Sequence, residues 1–293
     1  MEAKLTAKEA DEYLARIHYS GPKEPTVEVL KQLQRCHILS VPFENLSVYG
    51  KEIIFLSKDW LFEKIVRRHR GGFCFELNTM FSFLLDYFGF EYKMHAAEVF
   101  SRKTGLVGPP FDHQLLMANV GGDSWLTDVA FGDSCWMPLR FTDLQEHQKQ
   151  ESGTYRIRKD GDNYFYEENM KIIVDEDGRE VRAKEPFTSP GDPNWAPRYK
   201  FDLIPRNISD FNEMLLYHQK NDDSPFTHHR ICSVAKPWGR VAVLGNKLVT
   251  TTFLGENKVK KETREIEGGE EGVIKELEQN FGINRDACLY PEG

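Results

Sequence analysis

Arg70-Gly71-Gly72-Phe73-Cys74-Phe75-Glu76-Leu77-Asn78 stands where the character of the chain changes. Directly after the two glycines, apolar residues fall at Phe73, Leu77, Met80, Phe81, Leu84, Leu85 and Phe88. That is the spacing of a buried helix face, and Gly89 sits where a left-handed glycine ends a helix. Upstream the pattern is helical. Leu5, Ala10, Tyr13, Leu14 and Ile17 form one stripe behind Thr6 as a cap. Val27, Val29, Leu30 and Leu33 form the next, and Trp60, Leu61, Ile65 and Val66 a third behind Ser57 or Asp59. Downstream the segments are short, alternating or rich in β-branched and aromatic residues: 91–100, 113–120, 124–131, 154–159, 163–168 and 171–174. Turn signals such as Gly121-Gly122-Asp123 and Asp160-Gly161-Asp162 separate them, which predicts an antiparallel sheet or barrel.

The rest of the chain reads as a linker and a third part. Pro186, Pro190, Pro193, Pro197 and Pro205 mark residues 186–205 as a linker. Helical patterns near 208–217 and 270–281 then flank strands near 231–234, 240–244 and 248–254. The expected architecture is a multidomain α+β chain. Residues 1–89 form a helical bundle that carries the Cys74 helix, 90–185 a β-barrel, and 206–293 an α/β part.

Composition narrows the function. The 293 residues hold 38 lysines and arginines against 46 aspartates and glutamates, a net charge of −8, with no basic block. That argues against nucleic acid as a partner. The longest run without a charged side chain, 113–122, falls far short of the ~18 apolar residues a membrane helix needs. The opening MEAKLTAKEADEYLARI carries charges every few residues and lacks a signal-peptide core. A cytoplasmic location, with no membrane partner, is therefore expected. The cysteines are Cys36, Cys74, Cys135, Cys232 and Cys288, and the nearest two are 38 residues apart. This spacing excludes paired-cysteine metal knuckles and argues against a disulfide framework. No histidines recur at i, i+2 or i, i+4, so no metal site is expected.

Cys74 is the cysteine whose surroundings suit reactivity. A thiol in the first turn of a helix sits at the positive end of its dipole, which favours the thiolate. First-turn amides are also candidate donors to an oxyanion. The competing reading is a small buried hydrophobe. A nucleophile needs a base, and the base needs an orienting group. His113 opens an apolar strand after Gly108-Pro109-Pro110. If Gly121-Gly122 is a two-residue hairpin loop, Val120 faces Asp123, His113 faces Ala130 and Leu115 faces Asp128. Asp128 is then a diagonal neighbour of His113, about 7–8 Å away between Cα atoms. A one-residue slip would throw it to the other face. The remaining histidines, His218 among them, sit singly without a carboxylate at a useful spacing, and His228-His229 would face opposite ways on a strand.

These residues carry a resemblance. Arg70 to Asn78 resembles the active-site segment of the arylamine N-acetyltransferases, and His37-Ile38-Leu39-Ser40-Val41-Pro42-Phe43-Glu44-Asn45-Leu46 resembles that family's N-terminal signature. Asp128-Val129-Ala130-Phe131-Gly132 is similar to its strand-end motif. Tyr217-His218 and Ser224-Pro225-Phe226-Thr227 resemble the start of its third domain. The resemblance implies a helical bundle, a β-barrel and an α/β lid, with a Cys–His–Asp triad related to papain-like and transglutaminase-like enzymes. Position by position, Cys74 matches the nucleophile, His113 the base and Asp128 the orienter. The implied reaction is ping-pong acetyl transfer from acetyl-CoA, through the cysteine, to an arylamine, arylhydrazine or hydroxylamine. Acetyl-CoA is then a co-substrate, and no permanently bound cofactor or metal is expected. The resemblance also suggests a buried Arg70–Glu44 ion pair.

Two departures leave the acceptor preference open. Ala130 stands where the family usually has glycine, and Asp133 and Cys135 occupy a loop where many members have basic or aromatic pocket residues. Phe43, Phe73, Phe131 and Gly132 are candidates for the acceptor slot, with Cys135 beside them. Lys103, Thr104, Gly105 and Gly108 are candidates for holding CoA phosphates, because they form a basic, glycine-bearing loop just before His113. Asn78, one turn after Cys74, either shapes the site or caps a local network. A papain-like or transglutaminase-like amidase with the same triad is an alternative reading, as is a binding module that has kept the fold. Oligomeric state stays open.

Overall fold

The computed structural model describes residues 4–142 and 144–285. Cys288 lies outside the described residues. Thr6 opens α1 (Ala7–Arg16) with a reciprocal cap. Its hydroxyl accepts the Glu9 N–H, and the Glu9 carboxylate accepts the Thr6 N–H. Thr26 caps α2 (Val27–Ser40). Two short helices follow, α3 (Leu46–Tyr49) and α4 (Lys58–Phe62), the second running into a π-helical turn at Glu63–Arg67. Next comes α5 (Cys74–Phe88), in which every residue but Asp86 and Tyr87 is buried. It is walled on all sides, more enclosed than a single apolar stripe suggests. Gly89, at φ +78°, ends it.

The glycines before α5 answer to close approach rather than to backbone angle. A Cβ on Gly71 would lie 1.9 Å from the Pro42 carbonyl oxygen, and one on Gly72 would lie 2.8 Å from the Glu76 side chain. The main chain of this segment is pressed directly against β1.

The strands in chain order are β1 (Phe43–Glu44), β2 (Glu91–Val99), β3 (His113–Val120), β4 (Asp123–Thr127), β5 (Leu139–Arg140), β6 (Gln148–Gln150), β7 (Gly153–Asp160), β8 (Asn163–Asn169), β9 (Ile172–Val174), β10 (Glu180–Arg182), β11 (Trp195–Phe201), β12 (Ile231–Lys236), β13 (Gly239–Leu244), β14 (Lys247–Gly255) and β15 (Lys258–Glu265). Eight of them form an antiparallel sheet in the order β5-β4-β3-β2-β11-β8-β7-β6, curled into a nearly closed barrel. Side-chain amides sew its ends together in place of a ladder. Gln148 exchanges two bonds with the Arg140 backbone, and Gln150 accepts the Trp136 and Met137 N–H groups. Leu115, Met117, Leu126, Ile157, Tyr166 and Phe201 help fill the interior.

The second sheet runs β1-β12-β13-β14-β15-β9-β10. The last helix covers it, and Val234, Val243, Ile274 and Leu277 sit in the core between them. After a 3-10 turn at Ile208–Phe211, α6 (Asn212–Lys220) and α7 (Pro225–His228) lead into this sheet, and α8 (Gly269–Phe281) follows it.

Two expectations need correction, and one strand has no signal in the sequence pattern. Residues 186–205 are not a linker, because β11 lies between β2 and β8 inside the barrel sheet. Its proline is absorbed by a register shift between Pro197 and Tyr199. The barrel does not run unbroken to residue 185, because β9 and β10 leave it and join the second sheet beside β15. β15 itself, sequence KVKKETRE, is too charged to register as a strand by pattern. No described helix is long and apolar enough to cross a membrane.

Candidate active site

The segment leading into Cys74 is anchored by buried charge. Arg70 Nε lies 2.9 Å from Glu44 Oε1, the same oxygen accepts the Gly71 N–H at 3.2 Å, and Glu44 Oε2 accepts the Leu46 N–H at 2.6 Å. Lys64 Nζ lies 2.6 Å from Glu76 Oε1, while Glu76 Oε2 accepts the Phe73 N–H. Burial raises both carboxyls. Arg70 and Lys64 outweigh it at Glu44 and pull that group down to about 2. At Glu76 burial wins over Lys64 and holds the group at about 7. The ion pairs clamp both flanks of the segment that ends in Cys74.

The hairpin opposite has the register expected from its turn. Val120 faces Asp123, and the pairing continues to Leu116 and Thr127. Gly121 and Gly122, at φ +64° and +83°, make the two-residue loop. The ladder stops after Leu116–Thr127, short of the expected Leu115–Asp128 and His113–Ala130 pairs, where Asn78 of α5 inserts its amide between the strands. Asn78 Nδ2 donates to the Gln114 carbonyl at 2.6 Å, and its Oδ1 accepts the Val129 N–H at 3.0 Å. The side chain substitutes for the ladder bond those two residues would otherwise share, which joins the strand ends to α5.

Asp128 then reaches His113. His113 Nε2 lies 2.7 Å from Asp128 Oδ2, and both residues are 2% exposed. The other carboxylate oxygen accepts from Asn78 Nδ2 at 3.0 Å and from the Ala130 N–H at 2.9 Å. Tyr199 donates its hydroxyl to Oδ2 at 3.3 Å and packs its ring on the imidazole, 5.2 Å between centroids. Gln34 Oε1 accepts the Asp128 N–H. With Nε2 committed to the carboxylate, Nδ1 is the ring nitrogen left for Cys74, whose thiol opens on the same cavity as His113 and lies 3.9 Å from the Asp112 carbonyl oxygen.

Burial opposes the charged form of His113. The Asp128 carboxylate, by charge and hydrogen bond, together with Cys74, more than offsets it and holds the imidazole up at about 10. Burial likewise opposes the charged form of Asp128, but His113 keeps that carboxyl below the usual carboxylate range.

The pair has a pH signature. A histidine whose folded value lies above its unfolded ~6.5 stabilises the fold fully below that pH and loses the contribution as pH rises toward the folded value. Wild-type protein should therefore lose melting temperature relative to His113→Gln between pH 6.5 and 10. Melting curves at both pH values check this, and a constant gap between the two proteins would contradict the pairing.

Cys74 and His113 open onto one cavity of about 240 Å³. Phe43, Val99, Phe131, Pro225 and Phe226 give it apolar walls, Ala130 and Gly132 come from the segment after β4, and Asp112 and His218 supply further polar groups. A flat ring with small substituents fits such a space.

The family profile described as N-acetyltransferase matches residues 26–289. The pineal gland isozyme NAT-3 of Gallus gallus, an arylamine N-acetyltransferase, is 31% identical, with 96% of each chain aligned. The chain belongs to the arylamine N-acetyltransferase family. It is an enzyme of the acyltransferase class. The arylamine N-acetyltransferase of Salmonella typhimurium superimposes with a TM-score of 0.80 at 25% identity, over 95% of this chain and 92% of that one. The Mycobacterium marinum arylamine N-acetyltransferase in complex with CoA has the same fold, with a TM-score of 0.80 at 24% identity over 96% and 94%.

Within this arylamine N-acetyltransferase fold, Cys74, His113, Phe43, Phe131 and Gly132 meet at the cavity, with Asp128 directly behind His113. Phe73 does not reach it. Its ring is fully buried against Phe75 and Phe226. Cys135 is buried in the barrel core, where burial pushes its thiol up to about 12, and Asp133 pairs with Lys171.

The loop before His113 uses its own amides. The Lys103 and Thr104 N–H groups go to Ser101 Oγ, Gly105 N–H to the Ser101 carbonyl, and Gly108 N–H to the Val99 carbonyl. None of the four residues lines the cavity, and their amides are not free to cradle a phosphate. The exposed Lys103 ammonium remains.

Sequence reasoning passed over Tyr199, which sits in the segment read as a linker. It also set aside His218, whose carboxylate partner, Asp112, is 106 positions away. The one signal for His218 was its place in a family-like motif.

Proposed function

We propose that the enzyme moves an acetyl group from acetyl-CoA to an arylamine, arylhydrazine or hydroxylamine through a thioester on Cys74. The observation that carries this reading is the convergence of Cys74 and His113, with the buried Asp128 bonded behind the imidazole, on a small aromatic-walled cavity. A protonated His113 beside Cys74, with the first-turn amide dipoles of α5, stabilises a thiolate. The thiolate attacks the acetyl carbonyl. The carbon–sulfur bond to CoA breaks, and His113 gives its proton to the departing CoA sulfur. The acceptor nitrogen then attacks the acetyl-cysteine, its bond to Cys74 sulfur breaks, and His113 takes the proton from nitrogen. That step restores the starting thiolate and imidazolium.

Asp128, held by Asn78, Tyr199 and the Ala130 N–H, keeps the imidazole oriented through both halves. The first-turn amides of α5 serve as donors to the oxyanion in each. Lys103 supplies positive charge for the CoA phosphates, and Phe43 and Phe131 sandwich the acceptor ring. Exchange of one thioester for another is close to balanced in energy, so the acylated enzyme should accumulate when no acceptor is present.

Initial rates with acetyl-CoA and aniline test the sequence of steps. Parallel double-reciprocal lines, with CoA released before aniline is added, are expected. Intersecting lines with no CoA release in the absence of aniline would contradict a covalent intermediate.

A further inference from the structure

The cavity holds a second pair of polar side chains that acetyl transfer leaves unused. Asp112 and His218 both line it. Asp112 comes from the loop entering β3, just after Phe111, whose φ of +64° is unusual for a bulky residue and marks strain beside the site. His218 stands on α6 and is 2% exposed. Its Nδ1 lies 3.0 Å from the Ser224 hydroxyl, and its Nε2 lies 3.1 Å from Asp112 Oδ1. That second contact is off the hydrogen-bond axis, so Nε2 keeps no aligned partner. A buried nitrogen without an aligned partner is costly, and a position that tolerates one is a place to look for a ligand. Among the described residues His218 is also the only side chain in polar contact with the Asp112 carboxylate. No lysine or arginine lines the cavity among the described residues.

We propose that Asp112, steadied by His218, selects the acceptor. It accepts a hydrogen bond from an N–H or O–H on the distal part of the acceptor, and it disfavours acceptors that carry a carboxylate. The proposal rests on the acetyl-transfer reading above. The physical reason is the wall composition. Between phenylalanine rings the local dielectric is low, so a carboxylate there binds a donor strongly and repels a second anion strongly. His113 offers no relief to an anionic acceptor, because Asp128 already pairs with it. Acceptors that fit are uncharged or cationic: aminophenols and phenylenediamines, whose second polar group lies across the ring from the attacking nitrogen. Aminobenzoates do not fit.

The test compares kcat/KM for 4-aminophenol and for 4-aminobenzoate, each divided by that for aniline, in the wild type and in Asp112→Asn. The intrinsic reactivity of each amine is common to both proteins and cancels. The 4-aminobenzoate ratio should rise about tenfold in the variant, and the 4-aminophenol ratio should fall by about threefold or more. His218→Phe, which keeps a ring against Phe226, should move both ratios the same way by less. Ratios that stay within about twofold of wild type in both variants would overturn the proposal.

Calorimetry on the wild type needs neither a variant nor turnover. Phenol should bind at least about tenfold more tightly than benzoate, and equal or tighter benzoate binding would overturn the proposal. Failure of the wild type to acetylate any of the three amines would instead count against the acetyl-transfer reading, and the phenol–benzoate comparison would still decide what Asp112 recognises.

Discussion

Replacing Cys74 with alanine is expected to lower arylamine acetylation by at least about a thousandfold, because among the described residues the cavity is lined by no other thiol or hydroxyl that could carry the acetyl between substrates. The fold should survive. Cys74 is 4% exposed at the start of α5, and trimming its sulfur leaves Asn78, Glu76 and the flanking ion pairs intact. The stability cost should stay near ~1–2 kcal/mol, the range for a small buried deletion. Loss of activity with a native-like melting curve is therefore the informative result. Cys74→Ser tests the same point more narrowly. Oxygen at that position keeps the hydrogen bonds but gives a poor nucleophile and a poor leaving group beside an imidazole, so it should also be inactive to within about a thousandfold. Near-wild-type acetylation by Cys74→Ala would remove Cys74 from the mechanism.

The largest structural effect is expected from Arg70→Ala. Arg70 is 1% exposed and Glu44 is fully buried, and their 2.9 Å contact is the main compensation for the Glu44 charge. Lys64 stands 3.9 Å from the same carboxylate oxygen and is already engaged with Glu76 at 2.6 Å. Removing one partner of such a pair typically costs ~3–5 kcal/mol, because the other is left charged and dry. In a protein of this size that corresponds to a fall in melting temperature of about 5 °C or more. Activity should fall with it, since Glu44 also holds the Gly71 N–H and thereby the approach to Cys74. Arg70→Lys should recover little, because an ammonium cannot reproduce the guanidinium fork. A melting temperature within about 2 °C of wild type for Arg70→Ala would show that the pair is not what fixes this segment.

What the sequence made legible was local. The α5 stripe, its terminating glycine and the Gly121-Gly122 loop each follow from periodicity or turn chemistry. The register that brings Asp128 to His113 is arithmetic on that loop. The same arithmetic ran three pairs too far, because it carried no information about Asn78, which enters from another element and replaces a ladder bond.

The features missed were those decided by distant partners. β11 was hidden by prolines that a register shift accommodates, and β15 by a charge pattern that its place between β14 and β9 overrides. The motif position of Phe73 makes it a candidate for the acceptor slot, yet its ring turns inward to Phe75 and Phe226. The 101–108 loop looked suited to phosphate by composition, but its amides are spent on its own turn. The Glu76–Lys64 pair and the Asp112–His218 pair join residues with no shared periodicity, so no spacing rule announces them.

Peptide mass mapping after mixing with acetyl-CoA in the absence of acceptor tests the central claim most directly. The account predicts one acetyl group per chain, located on Cys74, labile to hydroxylamine as a thioester, and discharged when aniline is added. An unmodified Cys74 under conditions where aniline is nevertheless acetylated, or a stable acetyl group on another residue that aniline discharges, would contradict it.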